Sequence, residues 1–307
     1  MKEKKYILIL LSFLFAIIGC IDEDYSDCEK GIYINFKTLN PKYEYTEIVE
    51  NVEIHLYDVQ NNLVNNYTYS RNQLEGSSYK AYIPEQKAGN YSTVAVVNMS
   101  DSYKISNKEY ENSFLLEVLT DPKDSIQKKL PDIYHSIKEI AFGRLNPQDE
   151  LMELSKNTNH IDVTVIFEDD ILSPGKKLNA YIKGSNGIYN ANNKSVGKTP
   201  IIYCAHFNEK KEDDSYLFSF TTLRLWIGDD LKLSIVEEGE ETSRILNELM
   251  ITEEIAKLTD SSGKKIYDTD EKLEFEDEFK IKIMIDNTGM IGLKINDWYA
   301  VYPGFIF

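Results

Sequence analysis

Cys20 is the residue whose surroundings define a reaction most clearly. It closes the run Ile17-Ile18-Gly19-Cys20 and is followed at once by Ile21-Asp22-Glu23-Asp24. Lys2, Lys4 and Lys5 form a positive leader, and Tyr6 to Ile18 form an apolar stretch. That stretch falls short of the ~20 residues a membrane-spanning helix needs. Gly19 and Cys20 then stand where a small residue and a modified thiol belong in a bacterial lipoprotein signal. The chemistry expected is cleavage before Cys20, with lipid on its sulfur and on the new amino terminus. An exported chain so treated is held by acyl chains, each buried CH₂ contributing ~0.8 kcal/mol.

The other groups with chemical potential are dispersed. Cys28 and Cys204 are the remaining cysteines; an exported protein can oxidise such a pair to a disulfide or keep two thiols, and spacing does not decide between them. His55, His135, His160 and His206 occur singly, without the H-E-x-x-H or C-x-x-C spacing of a metal centre. No G-x-S-x-G motif marks a nucleophile. The 51 acidic residues offer so many carboxylate pairs that none is informative for glycoside chemistry. Gly197-Lys198-Thr199 imitates the end of a phosphate-binding loop, but Asn192 stands where its first glycine belongs. Pro200 and a strand-like Ile201 to Cys204 follow in place of a helix, so a surface loop is expected. Asp268-Thr269-Asp270 begins like a calcium loop, but Lys272 and Leu273 break the pattern, and a solvated acidic loop is expected. Asn66-Tyr67-Thr68 and Asn98-Met99-Ser100 are read as chance matches to glycosylation acceptors. The expectation is a protein without enzyme activity, cofactor or metal.

Composition limits the partners. The 307 residues carry a formal net charge of −17, and removing a lysine-rich leader makes the remainder more acidic. Such a chain repels phosphate backbones and anionic lipid surfaces, which excludes nucleic acid as partner and assigns membrane contact to lipid alone. A hydrophobic fraction of 42% suffices for a core, and 21 tyrosines against 13 phenylalanines suit strands and wet surfaces.

Alternation of period two dominates from Gly31 onward. Ile32, Ile34 and Phe36 form one strand; Val52, Ile54 and Leu56 form the next, followed by a turn over Asp58 to Asn62. Tyr79 to Ile83 and the doubly apolar Tyr91 to Asn98 follow. A short helix is expected near Glu109 to Val118, while Leu130 to Gly143 fits no pattern. Later strands are expected at Ile161 to Phe167, Leu178 to Lys183, Tyr216 to Trp226 and Leu231 to Val236. A helix capped by Thr242 or Ser243 is expected to run to about Lys257 on the stripe Ile245, Leu246, Leu249, Ile255 and Leu258. Phe279 to Ile285 and Ile291 to Ile295 are expected to pair across Asn287-Thr288-Gly289. Many short strands with few helices predict a mainly β protein of two β-sandwiches in series. The predicted division is a signal peptide at 1–19, an acidic tether at 20–30, and sandwiches at 31–156 and 157–307.

Several segments in order resemble the FimB-type fimbrium anchoring subunits of Gram-negative bacteria that build fimbrillin (type V) pili. They are Cys20 with Tyr25-Ser26-Asp27-Cys28 and the strand Gly31 to Phe36; Val52-Glu53-Ile54-His55-Leu56-Tyr57-Asp58; Gly89-Asn90-Tyr91 leading to Val96-Val97-Asn98; Phe220 to Leu225; and Gly292 to Trp298. The resemblance implies two transthyretin-like sandwiches and a structural role at the outer membrane, anchoring a fimbrial shaft and limiting its length. It also implies strand pairing with a fimbrillin-like shaft subunit. Trp298 to Phe307 is a candidate partner-facing strand, with packing in its own core as the alternative. A surface lipoprotein that captures glycans is the alternative function. For Cys20→Ala the expected outcome is a folded protein that leaves the outer-membrane fraction for the soluble one. Continued sedimentation with outer membranes would refute the lipid anchor.

Overall fold

A computed structural model describes residues 31–143, 148–168, 177–197, 199–211, 215–238 and 244–299. The expected alternation is realised in a succession of short strands. In the first half they are β1 (Gly31–Thr38), β2 (Asn51–Tyr57), β3 (Leu63–Ser70), β4 (Ala81–Pro84), β5 (Gly89–Val97), β6 (Tyr103–Ser106), β7 (Leu115–Val118), β8 (Ser125–Ile126), β9 (Tyr134–Phe142) and β10 (Gln148–Lys156). The second half adds β11 (Thr158–Phe167), β12 (Leu178–Gly184), β13 (Ile188–Asn190), β14 (Ile201–Cys204), β15 (Phe207–Lys210), β16 (Tyr216–Leu223), β17 (Lys232–Glu237), β18 (Arg244–Met250), β19 (Glu278–Asp286), β20 (Gly289–Ile295) and β21 (Trp298–Tyr299). Three short helices complete the described residues: α1 (Tyr45–Ile48), α2 (Ile251–Lys257) and α3 (Asp270–Glu274).

Local chemistry explains the turns. Asp58 accepts hydrogen bonds from the amides of Gln60 (2.8 Å) and Asn62 (2.9 Å), and Asn61 takes the left-handed conformation at φ 65°, so the chain reverses between β2 and β3. Asn98 ends β5 at φ 66° and bridges Ile48 and Glu50 through its side-chain amide. Its place in a glycosylation-like triplet is thus accounted for by a turn.

Seven strands order as β3-β2-β5-β9-β10-β1-β4, all drawn from residues 31–156. Within this row β10 runs parallel to β1 from Ile32↔Gln148 to Thr38↔Leu154 but meets β9 at only two positions, His135↔Ser155 and Tyr134↔Lys156. The row therefore splits into two layers hinged at the end of β10. Ile34, Phe36, Ile54, Leu56, Ala95, Val97, Met152 and Leu154 fill a core between them, closed by Tyr45 of α1. The alternate residues of β5, Val94 and Val96, point the other way into a second and larger core. This is why Tyr91 to Asn98 is apolar on both faces.

The larger core lies between a six-stranded sheet, β15-β16-β11-β19-β20-β21, and a five-stranded one, β18-β17-β12-β14-β8. The expected hairpin of β19 and β20 is present, with Ile283 opposite Leu293 and Ile281 opposite Ile295. Residues of the first half also enter this assembly. β8 joins the five-stranded sheet beside β14, and β7 pairs with β13 in a three-stranded sheet with β6.

Two helix expectations are corrected. Glu109 to Val118 holds one 3₁₀ turn, Glu111–Ser113, followed by β7, because Leu116 and Val118 alternate toward the core while Leu115 and Glu117 do not. Of the helix expected from Thr242 or Ser243, Arg244–Met250 is a strand and only Ile251–Lys257 is helical, as α2. Leu246 and Leu249 sit three apart, a spacing that imitates a helix face. In β18 a register shift and Glu248 at φ 47° turn both toward the core opposite Ile235 and Leu233. Leu130 to Gly143, unassigned in the sequence, contains β9.

β19 lies between β11 and β20 at the centre of its sheet, and Ile283 is fully buried. Ile283→Ala is expected to cost about 2–5 kcal/mol, seen as a lower urea midpoint with an unchanged m-value. The same substitution at exposed Val64 should cost under about 0.5 kcal/mol.

Candidate functional site

Cys20 and Cys28 lie outside the described residues, so the expected lipidation and the expected bridge to Cys204 lie there too. Cys204 ends β14, half-buried, with no disulfide partner among the described residues. Burial pushes the thiol's pKa up, and the nearby Asp121 carboxylate adds to the effect, so it is a poor nucleophile at neutral pH. Trp298 pairs with Ile295 in β21 and packs against the larger core, the alternative named for the terminal aromatic strand; residues 300–307 lie outside the described set.

The histidines occupy structural positions. His55 and His135 are both buried beside the Phe114 ring, with centroids 5.4 and 6.3 Å away. Burial drives His135 down to about 3, so it is neutral. The phosphate-loop imitation leads from Gly197 toward β14, not into a helix, as expected. Asp268-Thr269-Asp270 departs from the expected solvated loop. Thr269 caps α3 by accepting the Lys272 amide, and Asp270 accepts the Ile227 amide at 2.8 Å. The acidic pattern is thus spent on starting a helix.

What the sequence analysis missed lies where β10 leaves the first row. Lys156, the last residue of β10, has a buried side chain. Its ammonium lies 2.5 Å from Asp277 and 3.0 Å from Asp132. Tyr43 donates its hydroxyl to Asp277 as well, while Thr158 reaches Asp132 at 2.8 Å and His160 lies 3.1 Å from it. Desolvation works to raise the Asp132 carboxyl, but the contacts from His160, Lys156 and Thr158 outweigh it and hold the group well below the usual carboxylate range. One residue further, Asn157 and Asn193 exchange side-chain hydrogen bonds of 2.6 and 3.0 Å, both residues being buried. Ser155 and Arg224 both donate to Glu274. The sequence analysis placed only a sandwich boundary at Lys156; its partners stand 24 and 121 residues away in the chain.

Above this junction runs a surface groove. One cavity of about 580 Å³ is lined by His135, Ile137, Leu151, Glu153, Ser155 and Asn193 among others. A neighbouring one of about 460 Å³ continues over Tyr91, Lys138 and Glu139 to Asp58. The groove follows the seam where β9 and β10 part. Lys138 spans that seam, donating to Glu150 and to the Leu151 carbonyl, each at 2.8 Å.

These features define a β-sheet scaffold with free strand edges and a surface groove. Comparison with known proteins agrees with that class. The model of the fimbrillin-A associated anchor proteins Mfa1 and Mfa2 matches residues 25–302, and the chain belongs to that family. The minor fimbrium anchoring subunit Mfa2 of Porphyromonas gingivalis is 24% identical over 259 residues, covering 78% of this chain and 76% of that protein. The solved structure of the P. gingivalis fimbrial anchor protein Mfa2 superposes with a TM-score of 0.73 at 18% identity, covering 89% of this chain and 99% of that one. A Bacteroides thetaiotaomicron structure described as a proposed polysaccharide-binding protein gives 0.78 at 17% identity, covering 90% and 99%. A proposed adhesin from Bacteroides ovatus gives 0.72 at 16%, covering 91% and 97%. The resemblance seen in the sequence is thereby established for the family and for its mainly β fold.

Removing the Lys156 ammonium leaves two carboxylates facing each other without a cation. Lys156→Ala is expected to cost about 3–5 kcal/mol in urea unfolding at pH 7. Asp132 has a depressed folded pKa, so its stabilising contribution is present above the ordinary carboxylate value and is lost as pH falls below roughly 4. Asp132→Asn should flatten the fall in urea midpoint between pH 5 and pH 3 relative to the parent chain.

Proposed function

We propose that this protein is a lipid-anchored outer-membrane subunit that holds the base of a fimbrial shaft and limits its length. The observation that carries the reading is the family match over residues 25–302, nearly the whole chain beyond the leader. Cys20 supplies the membrane attachment, and the acidic residues after it favour display on the cell surface. Stable anchoring needs more than one acyl chain, which lipid on both the sulfur and the amino terminus provides. The role is mechanical: strand pairing with a shaft subunit carries load from the acyl chains outward. A division into two transthyretin-like sandwiches at 31–156 and 157–307 belongs to the same proposal, supported by two large sheets drawn from separate segments.

Glycan capture is the second reading, favoured by one surface. On the outer face of β4, β1 and β10, Tyr33 and Tyr82 stack with centroids 4.9 Å apart beside Asn35 and Asp149. An aromatic pair next to amide and carboxylate groups is the combination a sugar ring requires.

Deleting the gene and measuring fimbriae on cells and in the medium separates the two. The anchor reading expects shafts released into the medium or of abnormal length, with Tyr33→Ala/Tyr82→Ala behaving as wild type. Normal fimbriae together with glycan binding lost in that double variant would overturn it.

A further inference from the structure

We propose that Lys156 and Asp277 condense spontaneously into an intramolecular amide that joins the end of β10 covalently to the start of β19. Lys156 is the only buried lysine among the described residues. Its side chain is 3% exposed and that of Asp277 4%, and the lysine nitrogen lies 2.5 Å from Asp277 Oδ2. The nitrogen therefore stands beside the carboxyl carbon with water shut out. An ion pair so enclosed keeps two charges that have lost their hydration, whereas condensation removes both and releases one water. Between free ions in water the reverse reaction wins, but groups fixed in contact reach effective molarities of ~10⁵–10⁸ M. The dry site also denies hydrolysis its reagent.

The groups around the pair supply each step. The ammonium first passes one proton to Asp277 Oδ2, leaving an amine and a carboxylic acid in place of two desolvated ions. The amine lone pair then forms the C–N bond at Asp277 Cγ, and the carbonyl electrons move onto Oδ1. Asn40 Nδ2, 3.4 Å from Oδ1, donates to the oxyanion that develops there. Asp132, ionised and 3.0 Å from the lysine nitrogen, takes a proton from it and returns that proton to Oδ2. The C–Oδ2 bond breaks, Oδ2 departs as water and the Oδ1 carbonyl re-forms. Tyr43 holds Oδ2 through its hydroxyl, and its ring centroid lies 4.5 Å from the lysine nitrogen. One C–N bond replaces one C–O bond, nothing is oxidised or reduced, and no co-reactant enters. Asp132 ends ionised, still held by Thr158 and His160.

Other lysine–carboxylate pairs lack this setting. Lys80 with Asp149 and Lys138 with Glu150 stand at the surface, where both charges remain hydrated and no condensation is expected. The Lys156–Asp277 bond has a mechanical consequence. It encloses β11 to β18 in one covalent loop, so a pull on the two ends of the chain bypasses those strands. The chemistry is intramolecular and stands apart from both the anchor and the glycan reading.

The test is mass spectrometry of tryptic peptides from the full mature chain. The expected product joins 145–176 to 273–280, uncut after Lys156. It is lighter than the two peptides together by one water, about 18 Da. Lys156→Arg keeps the cation, but a guanidinium that stays protonated is no nucleophile. That variant should give separate peptides at full mass and a slower band than the parent on a denaturing gel. Asp132→Asn should form the linked product about a hundredfold more slowly after synthesis. A parent chain whose peptides 145–156 and 273–280 appear free at full mass overturns the proposal. Linkage of Asp132→Asn at the parent's rate overturns the assignment of Asp132 as proton carrier.

Discussion

A buried ammonium decides how this chain is put together. Lys156 stands at the point where β10 stops pairing with β9 and the chain turns into β11, and it is enclosed by carboxylates from residues 132 and 277. A charge removed from water is tolerated only when several partners compensate it. Those partners come from the segment before β9 and from the residue that precedes β19. The lysine therefore cannot be buried until both are in place, which ties the seven-stranded row to the six-stranded sheet. Asn157 with Asn193, and Ser155 and Arg224 with Glu274, repeat the arrangement on either side. The junction thus adds a specific polar cluster to the apolar contact that Val94 and Val96 of β5 make in the larger core.

The same strand creates the groove. Because β10 follows β1 for most of its length and touches β9 only at the lysine end, the two layers of the first row diverge from that point. Main-chain donors and acceptors along the divergence lack the ladder that would satisfy them in a closed sheet. Lys138, reaching across to Glu150 and Leu151, partly meets that need.

Much of this was legible in the residues. Alternation at Ile32-Ile34-Phe36, Val52-Ile54-Leu56 and Phe279 to Ile285 reports burial on one face, and that signal is local. The reading failed where tertiary contacts override local pattern. Leu246 and Leu249 look helical until β17 and a bulge turn both inward. β9 showed no period because its two faces serve different cores, Tyr134, Ile140 and Phe142 the smaller and Ile137 the larger, and its edge borders a groove.

The sequence by itself determined the acidic character of the chain, the mainly β class and the family resemblance. Each of these is written in neighbouring residues or in total composition. The tertiary structure alone decided that β10 runs parallel to β1, that Lys156 meets Asp132 and Asp277, and that a seam opens beside Lys138. Those outcomes depend on pairing between residues as far as 121 positions apart. Side-chain alternation states which face of a strand is buried, but not which strand will lie beside it.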